Sequence, residues 1–428
     1  MDIYCLKTED GRLLHPSIQA TVLAKYSRSP DSARNTYLGL SEEEADKFHS
    51  KWTISYGHSS VAELAVIPLC FEGISMIASK FIEKYQRAGY SEKSTRYQKF
   101  SRDSFINPTG NTTLSNFINR YYDAYEELYP LALENASKMM GGASKDLAKV
   151  KARAFDSIRY LLPAGTGTNL AAVMNLRDIR YLISEAKGHN NPEIRAIGES
   201  VQKAASDICP SLIGEVLEDN WEPKLVYLKS SKNTGSGVRL LNHNPDNNLQ
   251  FRKFLWENYS ISYDQLDELM KTRGNRRVPQ AFRMIDIVLE ITMDYGAYRD
   301  LQRHRRCEQF SEILTPYYGY EIPDDFIKTP LESKYCSIME HVLSYDDETV
   351  MSDPEILQYI IPMGYRHKSI FKMDLAELYY ICELRTKPQG HISYRRIAYQ
   401  MYEELNRVFP DLMKWCQVIK PDMIGEHH

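Results

Sequence analysis

The sequence predicts an α+β protein that is mostly helical and built from two tandem repeats. Residues 158–163 (Ile-Arg-Tyr-Leu-Leu-Pro) are matched by residues 357–362 (Leu-Gln-Tyr-Ile-Ile-Pro), at an offset of about 200 positions. His189 before a late helix is matched by His391 at nearly the same offset. A polar stretch with two glycines, at 230–237, is typical of a linker. These observations predict one repeat at 1–229 and a second at 238–428.

Length and composition set limits on the kind of protein. At 428 residues the chain is long enough for two domains, and its net charge of -4 gives no bulk attraction to nucleic acid. Seven cysteines without a Cys-x-x-Cys pair fit a reducing compartment and indicate no zinc site. We see no signal peptide and no apolar run of about 18 residues. We therefore expect a cytoplasmic protein with no membrane span and no bound metal.

Hydrophobic periodicity and capping signals predict the elements of the first repeat. Ser41 and Glu44 form a capping box that starts a helix to about residue 55. The apolar stretch 65–71 is β-like. The other predicted helices of this repeat cover 17–26, 74–86, 112–141, 153–162, 169–186 and 192–209.

The second repeat opens with a predicted strand at 238–243. Helices are then predicted at 249–258 and 262–271, followed by a long helix at 278–302. A later helix is predicted at 368–385 and corresponds to the predicted helix 169–186 of the first repeat.

Three arginines and a histidine close the long helical pattern, at 301–306 (Leu-Gln-Arg-His-Arg-Arg). A charge run of this kind is often only a solvated surface. It is also the composition of an anion site, because guanidinium groups bind phosphate through two parallel hydrogen bonds. A second stretch at 90–97 (Tyr-Ser-Glu-Lys-Ser-Thr-Arg-Tyr) favours the anion site. The two stretches together indicate one site divided between the repeats.

With these residues the chain resembles the flavin-dependent thymidylate synthases in tandem arrangement, over nearly its whole length. The second repeat holds the family's Arg-His-Arg triplet at 303–305. The first repeat holds the family's Gly-His-x-Ser/Thr-x-x-Glu turn at 57–63 and its Glu-x-Ser-x-Arg signature at 92–96. The resemblance implies that family's fold in each repeat, with a small antiparallel sheet in each.

Each repeat lacks what the other one has. Lys84-Tyr85-Gln86 stands in place of the triplet in the first repeat, and residues 311–315 stand in place of the signature in the second. Family members build their sites between subunits, so the two repeats would act as the two partners. The resemblance therefore implies one composite site and one degenerate site per chain, in a homodimer of tandem chains.

The resemblance also implies a bound FAD. Asn175 and Arg177 match the family's flavin-contacting Asn-x-Arg, whereas the second repeat has Asp374 and Ala376 there. A lone histidine such as His58 is often only structural. The residues that would contact the flavin are His58, Ser60, Glu63, Glu92, Asn175, Arg177, Arg303, His304 and Arg305.

By resemblance, the reaction transfers a one-carbon unit from methylenetetrahydrofolate to C5 of dUMP, with reduction through FAD by NADPH. Arg385 matches the family's pyrimidine-activating arginine and is the expected catalytic residue, although a cation at a helix C-terminus is also favoured by the helix dipole. The residues that would contact the nucleotide are Glu92, Lys93, Ser94, Thr95, Arg96, Asp300, Arg303 and Arg385.

Two departures from the family pattern leave the substrate open. The family's nucleotide-binding arginine is Gln358 in the second repeat and survives as Arg159 in the first, where it would serve the degenerate site. Asp300 stands where the family usually has Gln. A transferase acting on a different pyrimidine nucleotide, or a flavin- or nucleotide-binding protein without catalysis, are the alternatives.

Overall fold

The computed structural model describes residues 8, 10, 12–26, 29–30, 32–38, 40–49, 59–140, 147–219, 235–242 and 246–421. His58 and residues 230–234 of the predicted linker lie outside these ranges. None of the helices in the described ranges is long and apolar enough to cross a membrane.

Helices make up most of the regular structure. Short 3-10 turns at Ser59–Leu64, Arg159–Leu161, Gln280–Met284 and Gln358–Ile360 lie next to strands or helices. In chain order the helices are α1 (Pro16–Tyr26), α2 (Ala33–Leu38), α3 (Glu42–His49), α4 (Met76–Ile82), α5 (Thr112–Phe117), α6 (Asn119–Met139), α7 (Leu147–Ile158), α8 (Leu176–Gly188), α9 (Pro192–Ile208), α10 (Pro210–Ile213), α11 (Asn247–Tyr259), α12 (Tyr263–Lys271), α13 (Tyr295–Leu301), α14 (Pro330–Met339), α15 (Glu348–Met351), α16 (Pro354–Leu357), α17 (Leu375–Arg385), α18 (Ile392–Val408) and α19 (Pro410–Met413).

The strands form two small antiparallel sheets. One has the order β1-β3-β2 and the other β4-β5-β7-β6. A mostly helical fold with small antiparallel sheets is therefore confirmed. The strands are β1 (Val66–Ser75), β2 (Gly89–Glu92), β3 (Gly167–Asn175), β4 (Gly237–Asn242), β5 (Asp286–Asp294), β6 (Glu308–Ser311) and β7 (Arg366–Asp374).

Packing divides the chain into two compact units. Unit 1 comprises Met1–Lys93 and Gly167–Lys224, and unit 2 comprises Ser94–Thr166 and the chain from Leu225 onward. The units differ from the predicted repeats, because residues 94–166 belong to the first repeat in sequence and to unit 2 in packing. The repeat boundaries at 1–229 and 238–428 stay a prediction.

Unit 1 is organised on its three-stranded sheet. Alternate residues of β1 are buried, among them Ile67, Leu69 and Phe71, as the two-residue period of a strand requires. Helices α8 and α9 pack against each other and contribute Leu182 and Val201 to the same core. One apolar face of the sheet therefore lies under these helices.

Unit 2 is organised on the second sheet. Strand β5 pairs with β7 along its whole length, from Asp286 opposite Asp374 to Asp294 opposite Arg366. Helix α13 follows β5 directly and α17 follows β7 directly. This strand-to-helix pattern fixes the positions of the Arg-His-Arg triplet, after α13, and of Arg385, at the end of α17.

Three helix predictions are wrong over their first part, where the structure has a strand, and are correct only toward their C-terminal ends. The predicted helix 278–302 is a 3-10 turn, then β5, then α13. The predicted helices 169–186 and 368–385 begin as the strands β3 and β7 and become helical only at Leu176 and Leu375. Side chains of Asn175, Asp294 and Asp374 cap the new helices.

Several local predictions are confirmed. The β-like stretch 65–71 lies mainly in β1. The strand predicted at 238–243 is confirmed as β4 over 238–242, and residue 243 lies outside the described ranges. The Ser41 N–H lies 2.9 Å from Glu44 Oε2, and the Glu44 N–H lies 3.3 Å from Ser41 Oγ, which is the expected capping box. The long helix predicted from 112 is divided into α5 and α6, and its last predicted residue lies outside the described ranges.

Candidate functional site

The loop 94–96 of unit 2 is held by a buried ion pair. Arg96 Nε and Nη2 donate to the two carboxylate oxygens of Asp156 at 2.6 and 2.8 Å, and its Nη1 donates to the Gln389 carbonyl at 3.2 Å. Burial by itself lowers the pKa of Arg96, but the Asp156 carboxylate outweighs it and raises that pKa. Ser94 Oγ accepts the Arg96 N–H at 3.2 Å. The loop therefore presents a fixed hydroxyl and a fixed guanidinium.

Arg159 lies against this loop. Its guanidinium is buried, with Nη1 3.5 Å from Thr95 Oγ1 and Nη2 3.5 Å from Asp300 Oδ2. Burial raises the pKa of Asp300, but Arg159 and then Arg303 outweigh it and lower that pKa below its ordinary value. Among the described residues, Arg159 Nε has no hydrogen-bond partner.

This placement corrects one expectation. The sequence comparison assigned Arg159 to a degenerate site, apart from the Arg-His-Arg half. In the structure Arg159 contacts Asp300, which precedes the triplet by three residues, and the signature residue Thr95. Arg159 therefore lies in the same compact unit as the Arg-His-Arg triplet, Gln358 and Asp300, and not apart from them.

His304 and Arg385 form a direct hydrogen bond. Arg385 Nε donates to His304 Nε2 at 2.8 Å, and the Arg385 guanidinium lies 5.3 Å from the ring centre of Tyr394. Burial lowers the pKa of His304 below its ordinary value. The hydrogen bond with Glu377 opposes this effect, and the charge of Arg385 adds to it. The imidazole is therefore neutral at pH 7 and can accept this hydrogen bond.

The three arginines near His304 differ in their surroundings. Arg303 is exposed and Arg305 is half-buried. Arg306 forms an ion pair with Asp374, the capping residue of α17. Of the predicted site residues in the triplet, Arg303 is thus accessible to solvent, Arg305 is partly accessible and His304 is buried.

In unit 1, Glu92 belongs to a buried ion-pair network. Its carboxylate accepts from Ser79 Oγ at 2.9 Å and from Lys80 Nζ at 3.0 Å, and Lys80 also pairs with Glu83. The main-chain N–H of Lys93 donates to the Asn169 carbonyl at 2.9 Å. The end of strand β2 is therefore held within unit 1 by the side chain of Glu92 and by the main chain of Lys93.

The other predicted flavin contacts in unit 1 also have local partners. Asn175 caps α8, with Oδ1 2.9 Å from the Asp178 N–H and Nδ2 2.8 Å from the Asp178 carboxylate. Arg177 donates to Glu63 at 2.9 Å, and Ser60 is exposed in a 3-10 turn. Asn175 and Arg177 each have donor hydrogens beyond these bonds.

Unit 1 has a different arrangement where unit 2 has its triplet. Tyr85, at the position of His304, donates to Glu185 at 2.8 Å, and Lys84 pairs with the same carboxylate. The position of Arg385 is taken by Ala186. Lys84 is therefore neutralised within unit 1, and Ala186 supplies no guanidinium where unit 2 has Arg385.

Sequence reasoning missed Asp156, Glu377 and Tyr394 in unit 2. A carboxylate within a helix gives no signal of its arginine partner 60 residues away. In the sequence, His391 is distinguished only as the counterpart of His189 in the other repeat. Its Nδ1 accepts the Ser393 N–H, and its Nε2 lies 3.1 Å from the Asp156 carbonyl. Burial lowers the pKa of His391 to about 3, so it donates to that carbonyl as a neutral ring.

The sequence comparisons identify relatives of two kinds. A UPF0159 protein of Chlamydia pneumoniae is 28% identical over 96% of this chain and 90% of the relative. A UPF0159 protein of Thermoplasma acidophilum is 26% identical over 92% and 93%. The flavin-dependent thymidylate synthase of Clostridium tetani is 26% identical over 44% of this chain and 77% of its own length.

A solved structure and a family model also match. The crystal structure of a flavin-dependent thymidylate synthase from Helicobacter pylori, complexed with FAD and dUMP, is 15% identical, with a TM-score of 0.31 over 42% of this chain and 99% of that one. The family model described as "Thymidylate synthase complementing protein" matches residues 15–211 and 239–411, which is most of the chain. The chain belongs to this family, the family of the flavin-dependent thymidylate synthases.

Proposed function

We propose that the chain is a flavin-dependent thymidylate synthase-like enzyme that acts on dUMP, with methylenetetrahydrofolate as one-carbon donor and NADPH as reductant. One observation carries the proposal. Within unit 2, four arginines at 96, 159, 303 and 385 lie on segments that are brought together around Asp300. Asp300 and Asp156 offset only part of this charge, and a cluster of arginines is costly unless an anion offsets the rest.

The loop 94–96 and Arg159 would bind the nucleotide phosphate. Ser94 supplies a hydroxyl and Arg159 a guanidinium whose Nε has no partner among the described residues. Charge-assisted hydrogen bonds from such groups are short and strong. Arg96 is fixed by Asp156, so it reaches the phosphate without losing side-chain entropy on binding.

Arg385 would act on the pyrimidine ring. Its Nε is bonded to His304, and its two terminal nitrogens donate no hydrogen bond to any described residue. A preorganised cation beside the uracil stabilises negative charge as C5 becomes nucleophilic. Arg385 is therefore the residue proposed to be catalytic, by electrostatics alone and without a covalent bond to the protein.

The cationic donors after α13 fit the phosphates of FAD. Arg303, which is exposed, and Arg305, which is half-buried, both carry guanidinium groups, the donor chemistry that a pyrophosphate requires. When bound, the flavin would carry the reducing equivalents from NADPH to the one-carbon unit. His58, Ser60, Glu63, Glu92, Asn175, Arg177 and His304 complete the proposed flavin-binding residues.

We further propose that the two repeats arose by duplication. Strands β1-β3-β2 and β5-β7-β6 have the same order, and the family model matches twice. In unit 1, Ser75 caps α4 and donates to Glu193 at 2.6 Å. In unit 2, Asp294 caps α13 and accepts from Ser393. The hydroxyl and the carboxylate have changed places while the contact is preserved, which supports a common ancestor.

We expect one FAD per chain and not two, because unit 1 neutralises Lys84 with Glu185 and has Ala186 in place of Arg385. The measurement is the flavin absorbance of purified protein after saturation with FAD, divided by the chain concentration. Formation of dTMP from dUMP, methylenetetrahydrofolate and NADPH tests the activity itself. Two flavins per chain would contradict the single site, and absence of both flavin and product would contradict the proposed function.

Removing the guanidinium groups of Arg303 and Arg305 together should release the flavin. Arg303→Ala with Arg305→Ala removes two charge-assisted contacts of about 1.5–3 kcal/mol each. Flavin occupancy after gel filtration measures the loss. Arg306→Ala is the matched control, because it removes a guanidinium from the same run that pairs with Asp374 and is not among the proposed flavin contacts. Equal flavin loss in the control would mean that the run acts only through its total charge.

A different pyrimidine nucleotide as acceptor is the second candidate function. Asp300 favours it, because its lowered pKa keeps a negative charge 3.5 Å from Arg159, beside the proposed phosphate loop. A carboxylate there competes with phosphate for the same guanidinium. Turnover of a hydroxymethylated or otherwise modified uracil nucleotide well above that of dUMP would support this candidate.

A further inference from the structure

A chain of hydrogen bonds runs from Glu377 through His304 to Arg385 in unit 2. Glu377 Oε1 lies 3.4 Å from His304 Nδ1, and His304 Nε2 lies 2.8 Å from Arg385 Nε. The side chains of Glu377 and His304 are 8% and 4% exposed, so water does not compete strongly for these bonds. Nothing in the family resemblance assigns a role to Glu377.

The direction of each hydrogen bond follows from the chemistry of the groups. Arg385 Nε can only donate, so His304 Nε2 must be the acceptor and carries no proton. The pKa of His304 is lowered, by burial first, so the ring is neutral and its one proton is on Nδ1. That proton points to the Glu377 carboxylate. Glu377 therefore selects the tautomer that can hold Arg385.

Glu377 is itself firmly placed. It lies in the first turn of α17, where its main-chain N–H donates to the Asp374 carboxylate at 2.9 Å. Asp374 caps the helix and also pairs with Arg306. The carboxylate of Glu377 thus starts from a rigid helix end, and Arg385 is the last residue of the same helix.

We propose that Glu377 is a positioning residue that holds Arg385 in its productive orientation through His304. The proposal rests on the proposed role of Arg385. A free arginine side chain has many rotamers, and fixing its Nε leaves the two terminal nitrogens aimed in one direction. In this way the cost of ordering the guanidinium is met before substrate binds.

Unit 1 provides an internal comparison. Asp178 occupies the position of Glu377, but it binds Arg87 Nε at 3.2 Å and the amide of Asn175. Tyr85 replaces His304, and Ala186 replaces Arg385. Unit 2, which has an arginine to position, therefore holds the carboxylate, the imidazole and the guanidinium in series. Unit 1 keeps a carboxylate, Asp178, but it bonds other groups, and both the imidazole and the guanidinium are replaced.

The first test measures the tautomer and the pKa of His304 directly and does not depend on enzyme activity. Imidazole ¹⁵N NMR of the full chain should show His304 as the Nδ1–H tautomer with a pKa below the ordinary 6.5. In Glu377→Leu the Nδ1–H population should fall and the pKa should drop further, because burial and Arg385 remain and the one group that raises the pKa is gone. Tyr380, whose ring centre lies 5.6 Å from that of His304, is kept in this variant. Cys307 loses the effect of Glu377 on its pKa, but burial, the larger cause, still raises that pKa, so the thiol stays protonated. An unaltered tautomer and pKa in Glu377→Leu would overturn the proposal.

The second test separates positioning from folding. In Glu377→Gln, which keeps an acceptor but no charge, kcat should fall less than in Glu377→Leu, where we expect a loss of about tenfold to a hundredfold with KM for dUMP within about threefold. The acid limb of kcat, where His304 becomes protonated and repels Arg385, should move to lower pH in Glu377→Gln. Glu404→Gln, which removes a carboxylate paired with Arg407 on α18, is the matched control and should leave both unchanged.

The outcomes separate this proposal from the proposed function. A wild-type chain without turnover but with the expected ¹⁵N changes supports the hydrogen-bonded series and contradicts the enzyme assignment. Normal kcat and an unmoved acid limb in both Glu377 variants contradict positioning, whatever the activity of the wild type.

Discussion

Arg385→Ala is expected to lower kcat by about 10²–10³-fold while KM for dUMP changes far less. The reason is that the guanidinium charge matters most when the uracil ring becomes anionic, and less in the ground state. Burial of the neighbouring His304, and the contact of Arg385 with Tyr394, keep water away from one side of this charge. Steady-state kinetics with dUMP varied at saturating co-substrates measure the two constants separately.

Two further variants control this experiment. Arg407→Ala removes an exposed arginine from the end of α18 and should have no effect on kcat. Arg385→Lys keeps the charge but loses the planar fork and the Nε donor to His304, so it should recover only part of the rate. Unchanged turnover in Arg385→Ala would remove this residue from the mechanism, and a rise in KM alone would make it a binding residue only.

Arg96→Ala should have the largest effect on stability, about 3–5 kcal/mol, because it leaves the Asp156 carboxylate buried without its partner. The free energy of unfolding in urea, measured by circular dichroism, gives the size of the loss. Asp156 has a lowered pKa in the folded chain, because Arg96 outweighs the effect of burial. The stabilisation from this pair is therefore present above the ordinary carboxyl pKa of 3.8 and is lost as the pH falls through the lowered folded value. The difference between wild type and Arg96→Ala should accordingly shrink in acid.

The double variant Arg96→Ala with Asp156→Ala separates stability from binding. It removes both charges, so much of the lost stability should return, while affinity for dUMP should stay low because the guanidinium is still missing. Isothermal titration with dUMP on the folded double variant measures the second quantity. Recovery of wild-type affinity would show that Arg96 serves only to neutralise Asp156, and a double variant as unstable as Arg96→Ala would show that the ion pair is not the cause of the loss.

Local signals in the sequence predicted the parts of the fold that depend on neighbouring residues. The capping box of Ser41 and Glu44 needs only residues three apart, and it is present as predicted. The strands β3, β5 and β7, within 169–186, 278–302 and 368–385, differ from the predicted helices. In β5 burial alternates only over residues 286–291, and residues 291–294 are all buried, so the two-residue alternation is short and does not continue to the end of the strand. The helix then begins directly at the Asp294 cap, without a turn to mark the boundary.

The sequence by itself determined which residue types are available: a triplet with a histidine between arginines, a serine and arginine loop, and an arginine at a helix end. It also determined that the two repeats differ at these positions. Only the tertiary structure decided the partners, because a contact such as Arg159 with Asp300 joins residues 141 positions apart. Arg96 pairs with Asp156, and His304 with Glu377, because the packing of the chain brings these groups together. A buried charge requires a partner, but the sequence does not indicate which acid provides it.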